Sequence, residues 1–173
     1  MSKMTVMWGV EGCNEIISQL NDLKTTINSM EKSLPEKLAR VGLSEAQQAS
    51  ITIGASGVDG NTLGSYFVST TSNGAELVNQ GADVAYIEYG TGMMGQQSSH
   101  PDAGKVGWQY YVPTKYKRTV GGMKGWFYKN KLTGKLTFTQ GIVGTKAMYK
   151  AALAMRKNVI NCSKEILKKS CLR

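Results

Sequence analysis

The apolar positions of this chain form two long helical stripes separated by a β-rich middle. In the first stripe Ile16, Leu20, Leu23, Ile27, Met30 and Leu34 are spaced 4-3-4-3-4, which lines them along one side of a helix. Pro35 lacks a backbone donor and predicts a break or kink. Ser33 and Glu36 have the Ser-x-x-Glu spacing of a capping box, so a second helix is expected to start there. Leu38, Val41, Ala46, Ala49 and Ile53 continue the stripe to about residue 53. A coiled-coil seam has this spacing too, but the run is short for sustained heptads, and a helix laid on a sheet is the expectation. Ahead of the stripe, Met4 to Val10 (MTVMWGV) reads as a short strand.

The middle of the chain changes period. GASGVDGNTLG (54–64) has the composition of a loop. SYFVSTT (65–71) is β-branched and aromatic and predicts a strand, SNG a turn, and AELVNQ (75–80) the returning strand. In DVAYIEYG, Asp83 stands where it would cap a short helix. Residues 90–107 are rich in Gly, Ser and Gln without periodicity, and predict a long loop, functional or disordered. WQYYVPT (108–114) predicts a strand and KYKRTVGGMKG (115–125) a loop. WFYKN (126–130) and KLTFT (135–139) predict a hairpin. The second stripe, Met148, Ala152, Met155, Val159, Cys162 and Ile166, predicts a helix over about 145–169. Lys164, Lys168 and Lys169 crowd its last turns, where cations suit the helix dipole.

Together these elements predict a single α+β domain over 1–173. A long N-terminal helical segment (about 11–53) and a C-terminal helix (about 145–169) pack against an antiparallel sheet with long loops (about 58–140). A chain of 173 residues can bury a core without staples. Three widely spaced cysteines, Cys13, Cys162 and Cys171, form no CxxC pair, and there is one histidine. A disulfide framework, a zinc site and a cofactor are therefore not expected. No signal peptide is expected, and no apolar run is long enough to span a membrane.

Charge adds an asymmetry to this picture. Residues 1–54 carry 5 Lys/Arg and 6 Asp/Glu, residues 55–104 carry none and 5, and residues 105–173 carry 16 and one, Glu165. A basic C-terminal third beside an acidic middle predicts a face that meets a polyanion or the acidic surface of a neighbouring copy.

Four candidate chemistries follow. Glu88, between Tyr86, Ile87 and Tyr89, could be a desolvated acid, but no second carboxylate stands beside it in sequence, and a structural carboxylate is expected. Ser98, Ser99, His100 and Asp102 contain the residue types of a hydrolytic triad, yet they share one loop, and a surface histidine is expected. Gly90-Thr91-Gly92 matches no phosphate-loop pattern and predicts a sharp turn, with Thr91 bonding locally to fix it. Lys115, Lys117, Arg118, Lys124, Lys129 and Lys131 alternate with aromatic residues, a pattern that suits a single-strand nucleic-acid platform or an exposed hairpin.

Three stretches, VDGNTLGSYFV (58–68), VAYIEYGTG (84–92) and FTQGIVGTKAMYKAA (138–152), resemble in order the tail-completion, or neck, proteins of tailed bacteriophages. The resemblance covers roughly residues 10–168, and Glu88-Tyr89-Gly90-Thr91-Gly92 is its most specific part. The first stretch has DGNTLG where the family has a compact Asp-Thr-Gly. The third lacks the usual proline and carries Lys146-Ala147 before Met148. The resemblance implies a non-enzymatic virion protein of the head–tail junction, assembled in the bacterial cytoplasm. It implies a ring of identical copies through which genomic DNA passes, seated between head-connector and tail proteins, with no membrane. Its motif residues would be Tyr86, Glu88, Tyr89, Gly90, Thr91 and Gly92, with Gly141, Ile142, Met148 and Tyr149 later in the chain. The alternative expectation is a basic accessory protein that binds nucleic acid through residues 105–135.

Overall fold

A computed structural model of the chain describes residues 10–52, 66–80, 84–130 and 133–171. Of the strand expected over Met4–Val10 only Val10 is described, and it opens a helix. The loop at 54–64, the cap at Asp83 and Lys131 lie outside the described residues.

The fold is α+β, as the periodicity predicts. Helix α1 (Val10–Thr52) continues through Pro35, so the expected break and second start at Ser33 do not form. Ser33 Oγ donates back to the Ser29 carbonyl at 2.8 Å, and Glu36 accepts from Arg40 one turn on. Both side chains are thus used inside the helix rather than as a reciprocal cap. An internal proline costs about 3 kcal/mol, and here packing opposes that cost. The half-buried ring lies beside Gly74, where a Cβ would come 3.6 Å from Pro35 Cβ.

Strands β1 (Tyr66–Thr71) and β2 (Gly74–Asn79) form the expected antiparallel hairpin, in register from Tyr66↔Asn79 to Thr71↔Gly74. It packs on the C-terminal half of α1. Helix α2 (Val84–Tyr89) leads into β3 (Gly90–Thr91) and α3 (Gly92–Gln97). The segment expected to be one long loop therefore holds a strand and a helical turn. Residues 108–113, expected to be a strand, join no ladder, and a 3-10 turn follows at Thr114–Tyr116. Strands β4 (Lys117–Val120), β5 (Met123–Lys129) and β6 (Leu136–Thr139) form a three-stranded antiparallel sheet. The loop expected over 115–125 is thus the β4–β5 hairpin. It turns on Gly121 and Gly122, whose φ values of 55° and 79° suit a two-residue turn of the primed type. Strand β7 (Gly141–Val143) pairs with β3, not with the larger sheet.

Helix α4 (Ala147–Cys171) lies antiparallel along the second half of α1. Lys37 pairs with Glu165, Met155 packs over Gly42, and Ala46 and Ala49 meet Ala147 and Ala151. These small residues let the two backbones approach, and Tyr66, Leu43, Leu77 and Met148 complete the core. The Tyr66 hydroxyl reaches Ser50 Oγ at 3.2 Å, and Ser50 in turn bonds the Ala46 carbonyl. Burial raises the Tyr66 phenol above its usual 10.0. The expectation of a helix laid on a sheet therefore holds only in part. The β1–β2 hairpin flanks the helix pair, while Ile16, Ile17, Leu20, Leu23 and Ile27 on the first half of α1 stay exposed. No described helix is long and apolar enough to cross a membrane.

Candidate functional site

The two groups of motif residues, more than forty positions apart in sequence, meet in one joint. Gly90 pairs with Val143 and Thr91 with Ile142. Thr91 Oγ1 accepts the Ile142 N–H at 3.1 Å, so its hydroxyl ties two segments together rather than fixing its own turn. Gly90 and Gly92 have φ of 78° and 58°, and Gly141 has 104°. A Cβ on Gly90 would stand 2.6 Å from Gly144 N and 2.7 Å from Ile142 O, and one on Gly92 would overlap the Trp126 ring. These glycines are needed both for their backbone angles and for close approach.

Glu88 lies at the centre of the joint, with only 6% of its surface exposed. Its Oε2 accepts the Met148 N–H at 2.9 Å. Its Oε1 accepts the Tyr149 N–H at 3.0 Å and faces His100 Nε2 at 3.0 Å. Helix α4 begins at Ala147, so the carboxylate caps that helix from another part of the chain. The other donors of the first turn are also satisfied. Thr145 Oγ1 accepts the Ala147 N–H at 3.3 Å, and the Lys146 carbonyl accepts Lys150 N–H at 2.8 Å. The main chain makes the same junction: Thr145 N–H donates to the Ile87 carbonyl and Lys146 N–H to that of Glu88. A buried negative charge at a helix N-terminus is favoured by the orphan amides and by the helix dipole. Lys146, held at φ 55°, is the non-glycine residue at the bend into α4, and its ammonium bonds Ser98 Oγ at 3.2 Å.

His100 was expected on the surface but is buried, at 6% exposure. The reason is the bond to Glu88, together with the rings of Tyr89 and Tyr149 on either side, at 4.5 and 5.3 Å between centroids. Its Nδ1 accepts the Asp102 N–H at 3.0 Å, which leaves the proton on Nε2, directed at Glu88. The triad types do not assemble. The Asp102 carboxylate turns away to Lys105 at 2.7 Å, and both imidazole nitrogens are engaged. The hydrogen bond from Lys105, and then its charge, hold the Asp102 carboxyl below its usual range. Burial, then the charges of Glu88 and Asp102, raise the Tyr89 phenol.

Around the joint runs a chain of aromatic rings. Tyr89 stacks on Trp108 at 5.3 Å, Tyr86 meets Trp108 and Tyr110 edge-on, and Tyr110 meets Trp126 at 5.5 Å. Trp108 Nε1–H donates to the Gly90 carbonyl at 3.3 Å. Ile87 is buried, whereas Tyr86 is 42% exposed and faces the 108–110 segment. Sequence puts Trp108 at the head of an expected strand and His100 on the surface, whereas both close over the joint through contacts made only in the folded chain.

The basic residues separate into two groups. Lys117, Arg118 and Lys124 come together with Trp108, Tyr110 and Trp126 around an open groove of about 740 Å³, and no carboxylate among the described residues lines it. Arg118 also braces its own turn through bonds to the Lys115 and Lys117 carbonyls, both 2.8 Å. Lys115 sits over the Tyr116 ring at 4.9 Å and, like exposed Lys129, does not line the groove. Among the described residues no cluster of His, Cys, Asp and Glu could hold a metal ion. Compared with family models, with curated proteins and with solved structures, the chain matches none.

Proposed function

We propose that the chain is a non-enzymatic virion structural protein of the phage head–tail junction. In this reading it is a tail-completion or neck component that forms a ring of identical copies around the passing genome. The observation that carries the reading is the joint itself. The residues that bear the resemblance, Glu88 to Gly92 and Gly141 to Tyr149, converge on one another, and their polar groups are spent on holding backbone to backbone. That is what a rigid corner in an assembly subunit requires. The outer elements present surfaces suited to neighbours. Phe127, Tyr128 and Leu136 stand exposed on the three-stranded sheet, as do the aliphatic residues of the first half of α1. Head-to-tail closure needs two different patches per subunit. The lysines and arginine of the β4–β5 hairpin supply a basic one. Within the acidic middle Glu88 is internal and Asp102 is paired with Lys105, so exposed Glu76, together with exposed Glu15, Asp22 and Glu31 of α1 and the apolar surfaces, supplies described groups to meet it.

The test is made on particles. Deleting the gene from the phage that encodes it should leave filled heads unjoined beside free tails in negative-stain micrographs. Intact, infectious virions from the deletion would overturn the reading. One observation favours a second reading, a basic accessory protein that binds nucleic acid: the groove with three cations, five aromatic residues and no described carboxylate. Its signature is oligonucleotide binding by the purified chain that weakens steeply with salt.

A further inference from the structure

The first half of α1 carries a helix face that nothing in the described chain covers. Ile16, Ile17, Leu20, Leu23 and Ile27 are each between 52% and 59% exposed. The antiparallel pairing of the helices explains why. Lys37 meets Glu165, and α4 ends six residues later, so its last turn stands near residue 31 of α1. N-terminal of that point α1 runs on past the end of α4. Met30 and Leu34, nearer the end of α4, are half-covered.

We propose that a second copy of this chain covers the stripe, as a parallel, in-register coiled coil over residues 13–34. The spacing carries this assignment. Leu20 and Ile27, with Cys13 before them, take one core position of a seven-residue repeat, and Ile16, Leu23 and Met30 the other. A strict 3.5-residue period suits a partner helix of the same period better than a flat surface. Charge permits the match. In a parallel pair the flanking neighbours are Gln19 with Lys24 and Thr26 with Glu31 of the other copy, so no like charges oppose.

Area points the same way. Side chains half exposed leave roughly 80–100 Å² apiece, so the five present about 400–500 Å² of apolar surface. That is about the size of the largest apolar patch on a typical monomer, which is often functional. It is about half of the roughly 800 Å² each partner contributes to a standard interface, the remainder coming from flanking stems. The inference does not depend on the head–tail reading, and its test uses the purified full-length chain.

The first measurement is sedimentation of the wild type and of the double variant Leu20→Glu/Leu23→Glu. The wild type should associate at tens of micromolar. The variant should associate on the order of 100-fold more weakly, since it forces charges into the seam. Its melting temperature at about 1 micromolar, below the association range, should match that of the wild type, because both residues are exposed in the monomer. The second measurement needs no variant to fold. Oxidation with copper–phenanthroline should link Cys13 to Cys13 of another copy, identified by peptide mass. A wild type that stays monomeric at 200 micromolar (a chosen ceiling, about ten times the expected range) would overturn the proposal and assign the stripe to a different protein. Association that survives the double variant, or that gives no Cys13 link, would overturn it equally.

Discussion

Removing the Glu88 carboxylate tests the joint most directly. Three donors converge on it: the Met148 and Tyr149 amides and His100 Nε2. A hydrogen bond to a charged group contributes about 1.5–3 kcal/mol net, and a buried donor left unpaired costs about 1–3 kcal/mol. In Glu88→Ala all three lose their acceptor. A cleft bordered by Glu88, His100 and Tyr149 would admit water to some of them. The loss should therefore lie towards the low end, about 4–6 kcal/mol. A domain of this kind has about 5–15 kcal/mol in all. At about 2–4 °C per kcal/mol, the melting temperature should fall by about 10–20 °C. Glu88→Gln keeps one oxygen, which can still accept from His100 and Tyr149, but turns an amide donor towards the Met148 N–H. That should cost about 2–3 kcal/mol, or about 5–10 °C. Thermal unfolding at neutral pH gives both numbers. Hydrogen exchange at the Met148 and Tyr149 amides localises the damage to the first turn of α4. If alanine and glutamine are indistinguishable, or if either stays within about 2 °C of wild type, the carboxylate is not what holds that turn.

Three further outcomes follow from the geometry. Gly90→Ala should destabilise by more than about 3 kcal/mol in urea unfolding, because a Cβ there meets backbone atoms of three residues at positive φ. Gly121→Ala, also at positive φ but in open space, should lose only about 1–2 kcal/mol, and equal losses would refute the crowding argument. Ala151→Leu, at a fully buried position between α1 and α4, should cost about 1–3 kcal/mol by overpacking, whereas Leu at exposed Lys157 should be close to neutral. The hydrogen bond from Lys37, then its charge, hold the Glu165 carboxyl below its ordinary 4.5. A carboxyl lowered in the fold stabilises at pH above its ordinary value, and that stability is lost as pH falls through the lowered one. The melting temperature of the wild type should therefore drop more steeply below pH 4.5 than that of Glu165→Gln, and parallel profiles would contradict the pairing.

Both helices were legible from spacing alone, because a 4-3-4 apolar pattern is a property of the local chain. The β1–β2 hairpin was legible for the same reason, from its β-branched run and Ser-Asn-Gly turn. Pro35 misled because its ring packs beside Gly74, a contact that no local rule anticipates. The β4–β5 hairpin carried a signal that was read as a loop: Gly121-Gly122 between short runs is a two-residue hairpin turn. The aromatic segment 108–113 has strand composition, but its rings are used against Tyr86, Tyr89 and Trp126 rather than in a ladder. Glu88 was legible as a structural carboxylate. Its partners were not, since Met148 and His100 reach it only through the folded chain. The histidine shows the limit most clearly: its burial depends on an acceptor twelve residues earlier and a tyrosine forty-nine residues later.

The pairing of α1 with α4 also sets a timetable. Lys37 and Glu165 are 128 residues apart, and the alanine faces of the two helices meet across a similar gap. At about 5–20 residues per second, a ribosome needs roughly 6–25 s to make what lies between them. Throughout that interval, among the described residues, the Leu43, Ala46 and Ala49 face of α1 has the β1–β2 hairpin but not α4 to cover it. A nascent chain of this protein must therefore carry an open apolar helix for most of its synthesis, and a product that stops short of residue 147 never closes it.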